Sequence, residues 1–180
     1  AELDVAFPIE IYEAHYSPNW YSTYTALGLP ENLWTRADAL WLEHYGEETA
    51  PLIEGVGDTL GALHSKGYRL GVVTSGSQSR VTRELKSSAL NGLIDALICN
   101  EHIVNKKPHP EGLELALERL DSRPDETAYV GDAPEDIEMG RRGNVLTVGV
   151  RSNYPSSARL LSAEPDIYLE RIVELSKHFD

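Results

Sequence analysis

The sequence predicts an α/β protein: a parallel sheet flanked by helices, joined to a small α-helical domain. Three observations carry this expectation. From about residue 55 onward, short apolar runs alternate with amphipathic stretches, the order that a parallel sheet covered on both faces requires. The apolar runs are rich in β-branched residues and end in polar clusters, as buried strands do. Before residue 55 the pattern changes. All three tryptophans fall there, and aromatic and leucine positions recur at helical spacing.

Taken in order, residues 12–54 form the helical segment, with Leu29-Pro30 and the region of Gly46 as punctuation and a boundary near Pro51 to Gly57. Residues 55–180 form the α/β part. YRLGVVT (68–74) follows the break Lys66-Gly67 and stops at SGSQS, which makes it a strand. QSRVTRELKSS is expected as a helix, DALIC (95–99) as a strand, PEGLELALERL (110–120) as a helix and TAYVG (127–131) as a strand. EDIEMGRRG then forms a helix, VLTVGV (145–150) a strand, SARLLS a short helix, DIYL an edge strand and ERIVELSKHF a terminal helix. No repeat or low-complexity segment interrupts this order.

Composition narrows the function classes. The formal net charge is −13, which argues against a nucleic-acid or anionic-membrane surface, since phosphate backbones are bound by clustered Lys and Arg. Residues 1–65 hold eleven acids against one basic residue, Arg36, so an anionic substrate would meet positive charge mainly in the second part. No apolar run approaches the ~18 residues of a membrane span, and no secretory leader is evident. The single cysteine, Cys99, excludes an internal disulfide and reads as a buried thiol in a cytoplasmic protein. Nothing in the sequence fixes the oligomeric state.

Three polar features fall at the carboxyl ends of three of these strands, where open parallel sheets bind ligands. Thr74 and Ser75 follow LGVV, Lys107 lies in NKKPHPE beyond LIC, and Asp132 and Asp136 follow YVG. Singly, each has an ordinary role: a turn threonine, a loop lysine, a helix cap with a first-turn acid. Their convergence at one sheet edge is the signal. The Asp132 to Asp136 spacing brings two carboxylates to a common point, with Gly131 allowing a tight turn, a donor set that suits Mg²⁺. Lys107 would neutralise a phosphate or a nucleophilic carboxylate. Thr74 with the backbone N–H groups of Ser75 and Gly76 would form an anion cup. Together these describe phosphoryl transfer to or from a small phosphorylated metabolite.

LGVVTSG, KKPHPE and VGDAPEDIEMGRRGN resemble motifs II, III and IV of the haloacid dehalogenase-like superfamily, most of whose members are Mg²⁺-dependent phosphatases. The resemblance covers residues 55–180, and the segment before them is similar to the helical cap of the phosphoglycolate phosphatase and β-phosphoglucomutase-like branch. It implies that Thr74 carries motif II, Lys107 motif III, and Asp132 and Asp136 motif IV. A phosphatase working through an aspartyl-phosphate is the expected activity, with a sugar-phosphate mutase and a pyrophosphatase as alternatives on the same scaffold.

The first motif of that family, Asp-x-Asp-Gly-Thr, does not occur. Counting back from ALGLP at the usual spacing lands on LDVAFPI, which sets Asp4 where the nucleophile would be and Ala6 in place of the second aspartate. Three readings stay open. Asp4 is the nucleophile of an altered site, with residues 1–11 an altered first strand; or the first strand lies upstream of Ala1; or the chain is a silent member that binds a phosphorylated ligand or a protein. A Schiff-base route is disfavoured because the first lysine, Lys66, lies outside the cap. Among the remaining residues, Arg36 is the one cation the cap offers a substrate, and Ser77 to Arg80 could meet substrate phosphate, with Ser77 as a helix cap. His102 and His109 are expected as loop histidines. Trp20, Tyr21, Tyr24, Trp34 and Trp41 are expected mainly as core, with lining of the substrate side as the alternative.

Overall fold

A computed structural model of the chain describes Leu3, residues 8–45 and residues 51–179. Helices α1 (Ile9–His15), α2 (Trp20–Ala26) and α3 (Trp34–Tyr45) make up the N-terminal part. Residues 9–11, expected with a first core strand, are helical instead. Pro8 accounts for this, because its fixed φ starts a helix and its carbonyl accepts the N–H groups of Ile11 and Tyr12. Helices α2 and α3 are held by a small cluster of Tyr24, Leu29 and Ala37, against which Leu3, Trp20, Leu33 and Trp34 pack. The Trp34 indole donates to the Leu29 carbonyl at 2.9 Å, so its polar edge is satisfied inside that cluster.

The second part runs α4 (Val56–Ser65), β1 (Gly71–Val73), α5 (Gln78–Ser87), β2 (Ala96–Ile98), α6 (Glu111–Leu120), β3 (Ala128–Gly131), α7 (Pro134–Arg142), β4 (Leu146–Val150), α8 (Ser157–Leu160) and β5 (Ile167–Leu169). All strand pairs are parallel. The single sheet expected from the sequence is, among the described residues, two: β1 pairs with β2, and β3, β4 and β5 form a second ladder in that order. What bridges them is side chains. The Val73 carbonyl of β1 accepts from Lys107 Nζ at 3.0 Å and from the Tyr129 hydroxyl of β3 at 3.2 Å.

Helices cover both faces of the larger sheet. Val148 and Val150 of β4 pack with Leu63 of α4, Leu169 and Leu175. Thr147, one step along the pleat, faces the other way toward Gly140 of α7, where an added Cβ would come within 2.8 Å of the Thr147 methyl. A further cluster of Leu113, Leu117, Met139 and Val145 seals α6 against α7. Cys99 is fully buried, as its apolar surroundings predict. The expected terminal helix is a 3-10 stretch, Ile172–Lys177. No helix among the described residues is long and apolar enough to cross a membrane.

Asp166 fixes the entry to β5. Its Oδ2 accepts from the Thr147 N–H at 2.8 Å and from the Thr147 hydroxyl at 2.6 Å, while the Thr147 hydroxyl accepts from the Asp166 N–H at 3.0 Å. The Thr147 hydroxyl and N–H hold the Asp166 carboxyl below its ordinary pKa. A depressed carboxyl contributes stability above the unfolded value of ~3.9 and loses it as pH falls through the folded value. Asp166 is exposed, so solvent screens these contacts, and Asp166→Ala is expected to cost only about 0.5–1 kcal/mol at neutral pH, with the gap to wild type closing in acid below pH ~3.9. Urea unfolding at several pH values measures this, and a gap that persists into acid would contradict the ion's role.

Candidate active site

The strand ends meet a cavity of about 640 Å³ between the N-terminal helices and the sheet edge. Lys107 is its most constrained residue. It is 8% exposed, and its three ammonium donors are all engaged: Val73 O at 3.0 Å, Tyr129 Oη at 2.8 Å and Asp136 Oδ1 at 2.9 Å. Burial works against its charge, but the contacts with Tyr129 and Asp136 outweigh burial and raise the pKa. Burial likewise pushes Tyr129 up to about 12. Tyr129 is thus a neutral phenol at physiological pH, and the anion facing Lys107 is Asp136.

Asp136 sits at the third position of α7 and reaches back over the turn that enters it. Its Oδ2 accepts from the backbone N–H of Asp132 at 3.2 Å and of Ala133 at 3.1 Å, the return half of a helix-start box. The turn depends on Gly131 for space. An added Cβ would lie 2.3 Å from the Asp136 Cβ, and the glycine does not have a left-handed φ. The glycine is needed for the approach of Asp136, not for the tight turn expected from sequence.

Asp132 differs from Asp136 in kind. It is half-buried, lines the cavity and accepts from the Ser152 side chain. Burial raises its pKa, with the Asp136 charge adding to the rise and Ser152 and Lys107 opposing it. The two acids of VGDAPED are therefore unequal: one is locked to lysine and backbone, and the other is presented to the cavity. Among the described residues no group of three or more His, Cys, Asp or Glu side chains is gathered for a metal. One or two carboxylates beside a phosphate site nonetheless match the way Mg²⁺ is held, with most of its shell left to water and substrate oxygens.

The anion cup is narrower than expected. The Gly76 N–H is turned inward and donates to Thr74 Oγ1 at 3.0 Å, which leaves the Thr74 hydroxyl proton available to the cavity that Thr74 and Ser75 line. Ser77 makes no side-chain cap bond to α5. Both Glu101 carboxylate oxygens take that place, accepting from the Gln78 N–H at 3.0 Å. Arg80 lines the cavity, forms an ion pair with Glu84 at 2.9 Å and stands over the Trp41 ring at 5.8 Å. Lys106 also lines it, anchored on the carbonyls of Asn100 and Ile103.

Arg36 is exposed on α3 and does not line the cavity. The reason is helical phase: Asp38, Trp41 and Leu42 face the cavity, and at ~100° per residue Arg36 points away from all three. Asp4 lies outside the described residues. His102 accepts from the Cys99 N–H and His109 from the Glu111 N–H, so both are structural. Of the cap aromatics, Trp20, Tyr21, Tyr24 and Trp41 line the cavity, whereas Trp34 packs within the helical cluster. Sequence reasoning missed Tyr129, Glu101 and Lys106. A signal for Tyr129 was present, because it shares a pleat face with Gly131, two residues on, beneath which Asp136 packs.

The family model for haloacid dehalogenase-like hydrolases matches residues 11–150. A pyrophosphatase PpaX of Anoxybacillus flavithermus is 37% identical over 122 residues, covering 68% of this chain and 57% of the relative. A phosphoglycolate phosphatase of Salmonella typhimurium is 34% identical over 139 residues, covering 76% and 55%. The chain thus spans a little over half the length of these curated relatives. Among solved structures, a haloacid dehalogenase-like hydrolase from Streptococcus pneumoniae superposes with a TM-score of 0.80 at 19% identity, covering 99% of this chain and 85% of that one. A β-phosphoglucomutase from Clostridium difficile gives 0.76 at 16% identity, covering 97% and 80%. These two show a shared fold. A match across most of the chain, joined to relatives more than a third identical, places this protein in the haloacid dehalogenase-like hydrolase family.

Proposed function

We propose that the chain carries the site of a Mg²⁺-dependent phosphatase acting on a small phosphate monoester in the cytoplasm. The observation that carries this reading is the buried Lys107–Asp136–Tyr129 network set beside an open carboxylate, Asp132, and the hydroxyl of Thr74. When bound, Mg²⁺ would polarise the phosphoryl oxygens and offset their charge, held by Asp132 with Asp136 behind it. Lys107 acts from a fixed position: its charge, desolvated and held by three partners, stabilises negative charge that grows on the phosphoryl group. Thr74 donates its hydroxyl proton to a phosphoryl oxygen. The relatives' named activities, on pyrophosphate and phosphoglycolate, support phosphate chemistry and differ in the rest of the substrate.

Release of inorganic phosphate from a panel of phosphate esters, with Mg²⁺ and with EDTA, tests the reading. Mg²⁺-dependent release that EDTA abolishes is the expected result. Release that is indifferent to EDTA would remove the metal from the mechanism. The same assay examines the nucleophile of the aspartyl-phosphate route: loss of release in Asp4→Asn assigns it to Asp4, and retention assigns it elsewhere.

A further inference from the structure

The cavity is far from uniform. At the sheet edge it is lined by Lys107, Thr74 and Asp132; at the other end it is aromatic. Seven of its 24 lining residues are Tyr or Trp, in a chain that is 8% aromatic overall. Three of these rings are well exposed, Tyr21 at 40%, Trp41 at 36% and Tyr154 at 56%, whereas Tyr24 is packed in the helical core. The wall is continuous across the two parts of the molecule. Tyr154, from the loop after β4, stacks on Tyr16, from the end of α1, at 5.6 Å and 9° between ring planes. Trp20 and Trp41 continue it at 6.1 Å. Arg159 of α8 donates to the Tyr16 carbonyl and fixes that junction.

The charge at this end is equally informative. The lining residues contributed by α1 to α3 include no lysine or arginine, and Asp38 lies among them, with one oxygen accepting from the Tyr24 hydroxyl at 2.8 Å. Arg80 of α5 reaches this end, standing over the Trp41 ring at 5.8 Å, but it is paired with Glu84 at 2.9 Å, so a second anionic group at the far end of a substrate would compete with Glu84 for it beside the Asp38 carboxylate. A flat ring carrying N–H or O–H donors would find stacking partners and an acceptor. The volume is that of pockets for whole organic ligands, well beyond the need of a bare phosphate group.

We propose that the substrate is a phosphate monoester whose organic part is a planar aromatic group bearing hydrogen-bond donors, stacked in this wall with Asp38 as acceptor. The inference rests on the phosphate-ester reading above, and it narrows that reading to one substrate class. The shared chemistry has two sources, an aryl phosphate with its ring next to phosphorus and a nucleoside monophosphate with its base one sugar away.

Titration calorimetry of the chain with Mg²⁺ and phosphonates, whose P–C bond a phosphatase does not cleave, separates the possibilities. The probes are methylphosphonate, 4-hydroxyphenylphosphonate and the phosphonate analogue of a nucleoside 5′-monophosphate. At least one aromatic probe is expected to bind about tenfold or more tightly than methylphosphonate, the scale of one stacked ring. Whichever is tighter identifies the source. Trp41→Leu and Tyr154→Leu are expected to collapse that ratio toward one, and circular dichroism confirms their fold. Lys107→Ala is expected to weaken all three probes alike. Equal affinity of the wild type for all three probes, or an equal loss for all three in both wall variants, overturns the aromatic inference and leaves phosphate recognition intact. Failure of every probe and of orthophosphate to bind overturns both.

Discussion

Lys107→Ala is expected to lower turnover by about 100-fold or more, the scale on which fixed donors and charges act at developing oxyanions. The same change should cost about 3–5 kcal/mol of stability, because it leaves the Asp136 carboxylate buried without its counter-charge. Both effects follow from one geometry. Lys107 spends its donors on Val73, Tyr129 and Asp136, so it joins the two sheets and fixes a desolvated positive charge at the strand ends. A second substitution separates the two roles. Adding Asp136→Asn to Lys107→Ala removes the stranded charge and should recover much of the stability, yet turnover should stay low because the positive charge is still missing. The pH dependence has a definite sign. Lys107 has a raised pKa in the fold, so its contribution is fully present below the unfolded value of ~10.4 and is lost only as pH rises through the folded value. The stability gap between wild type and Lys107→Ala should therefore be flat from pH 6 to 9. A drop of only a fewfold in turnover would reduce Lys107 to a structural tie.

That Lys107, Thr74, Asp132 and Asp136 meet was legible in the sequence, and the reason is topological. β-branched runs that each end in a polar cluster become parallel strands, and parallel strands bring those clusters to one edge. What happens within the cluster was not legible. The spacing of Asp132 and Asp136 gives two acids near a point, but only the packing of Asp136 over Gly131 shows that one is consumed by Lys107 and two backbone amides. Tyr129 reads as one more apolar residue in AYV, since its role lies in a hydroxyl that crosses to a different sheet. The split into two ladders is invisible for the same reason: strand pairing depends on which edges meet, and an apolar run does not state its neighbour. Helical periodicity placed aromatic residues on the inner faces of α2 and α3 without saying what lies opposite. Trp34 found a core and Trp41 found a cavity, and a single helical stripe is compatible with both.

Asp132 should behave oppositely to Lys107 in its two readouts. Asp132→Ala is expected to abolish Mg²⁺-dependent phosphate release while leaving the apo fold as stable as wild type or more so. The stability half follows from linkage. Burial raises the folded pKa of this acid, so the native state binds a proton more readily than the unfolded chain, and stability falls as pH rises through that interval. At neutral pH the ionised side chain is a cost, added to by the Asp136 charge, and removing it relieves the cost. A carboxylate that costs the apo fold stability and faces the cavity is accounted for by what it would bind. Thermal unfolding with and without Mg²⁺ makes the argument independent of turnover. A metal bound only by the folded protein stabilises it by about 2.7 kcal/mol at 100 times its dissociation constant. Wild type should show a rise in melting temperature on adding Mg²⁺, and Asp132→Ala should not. A rise of equal size in both proteins would mean that Mg²⁺, if it acts here, is held by other groups, and the distinction between a locked Asp136 and an open Asp132 would no longer describe how the site works.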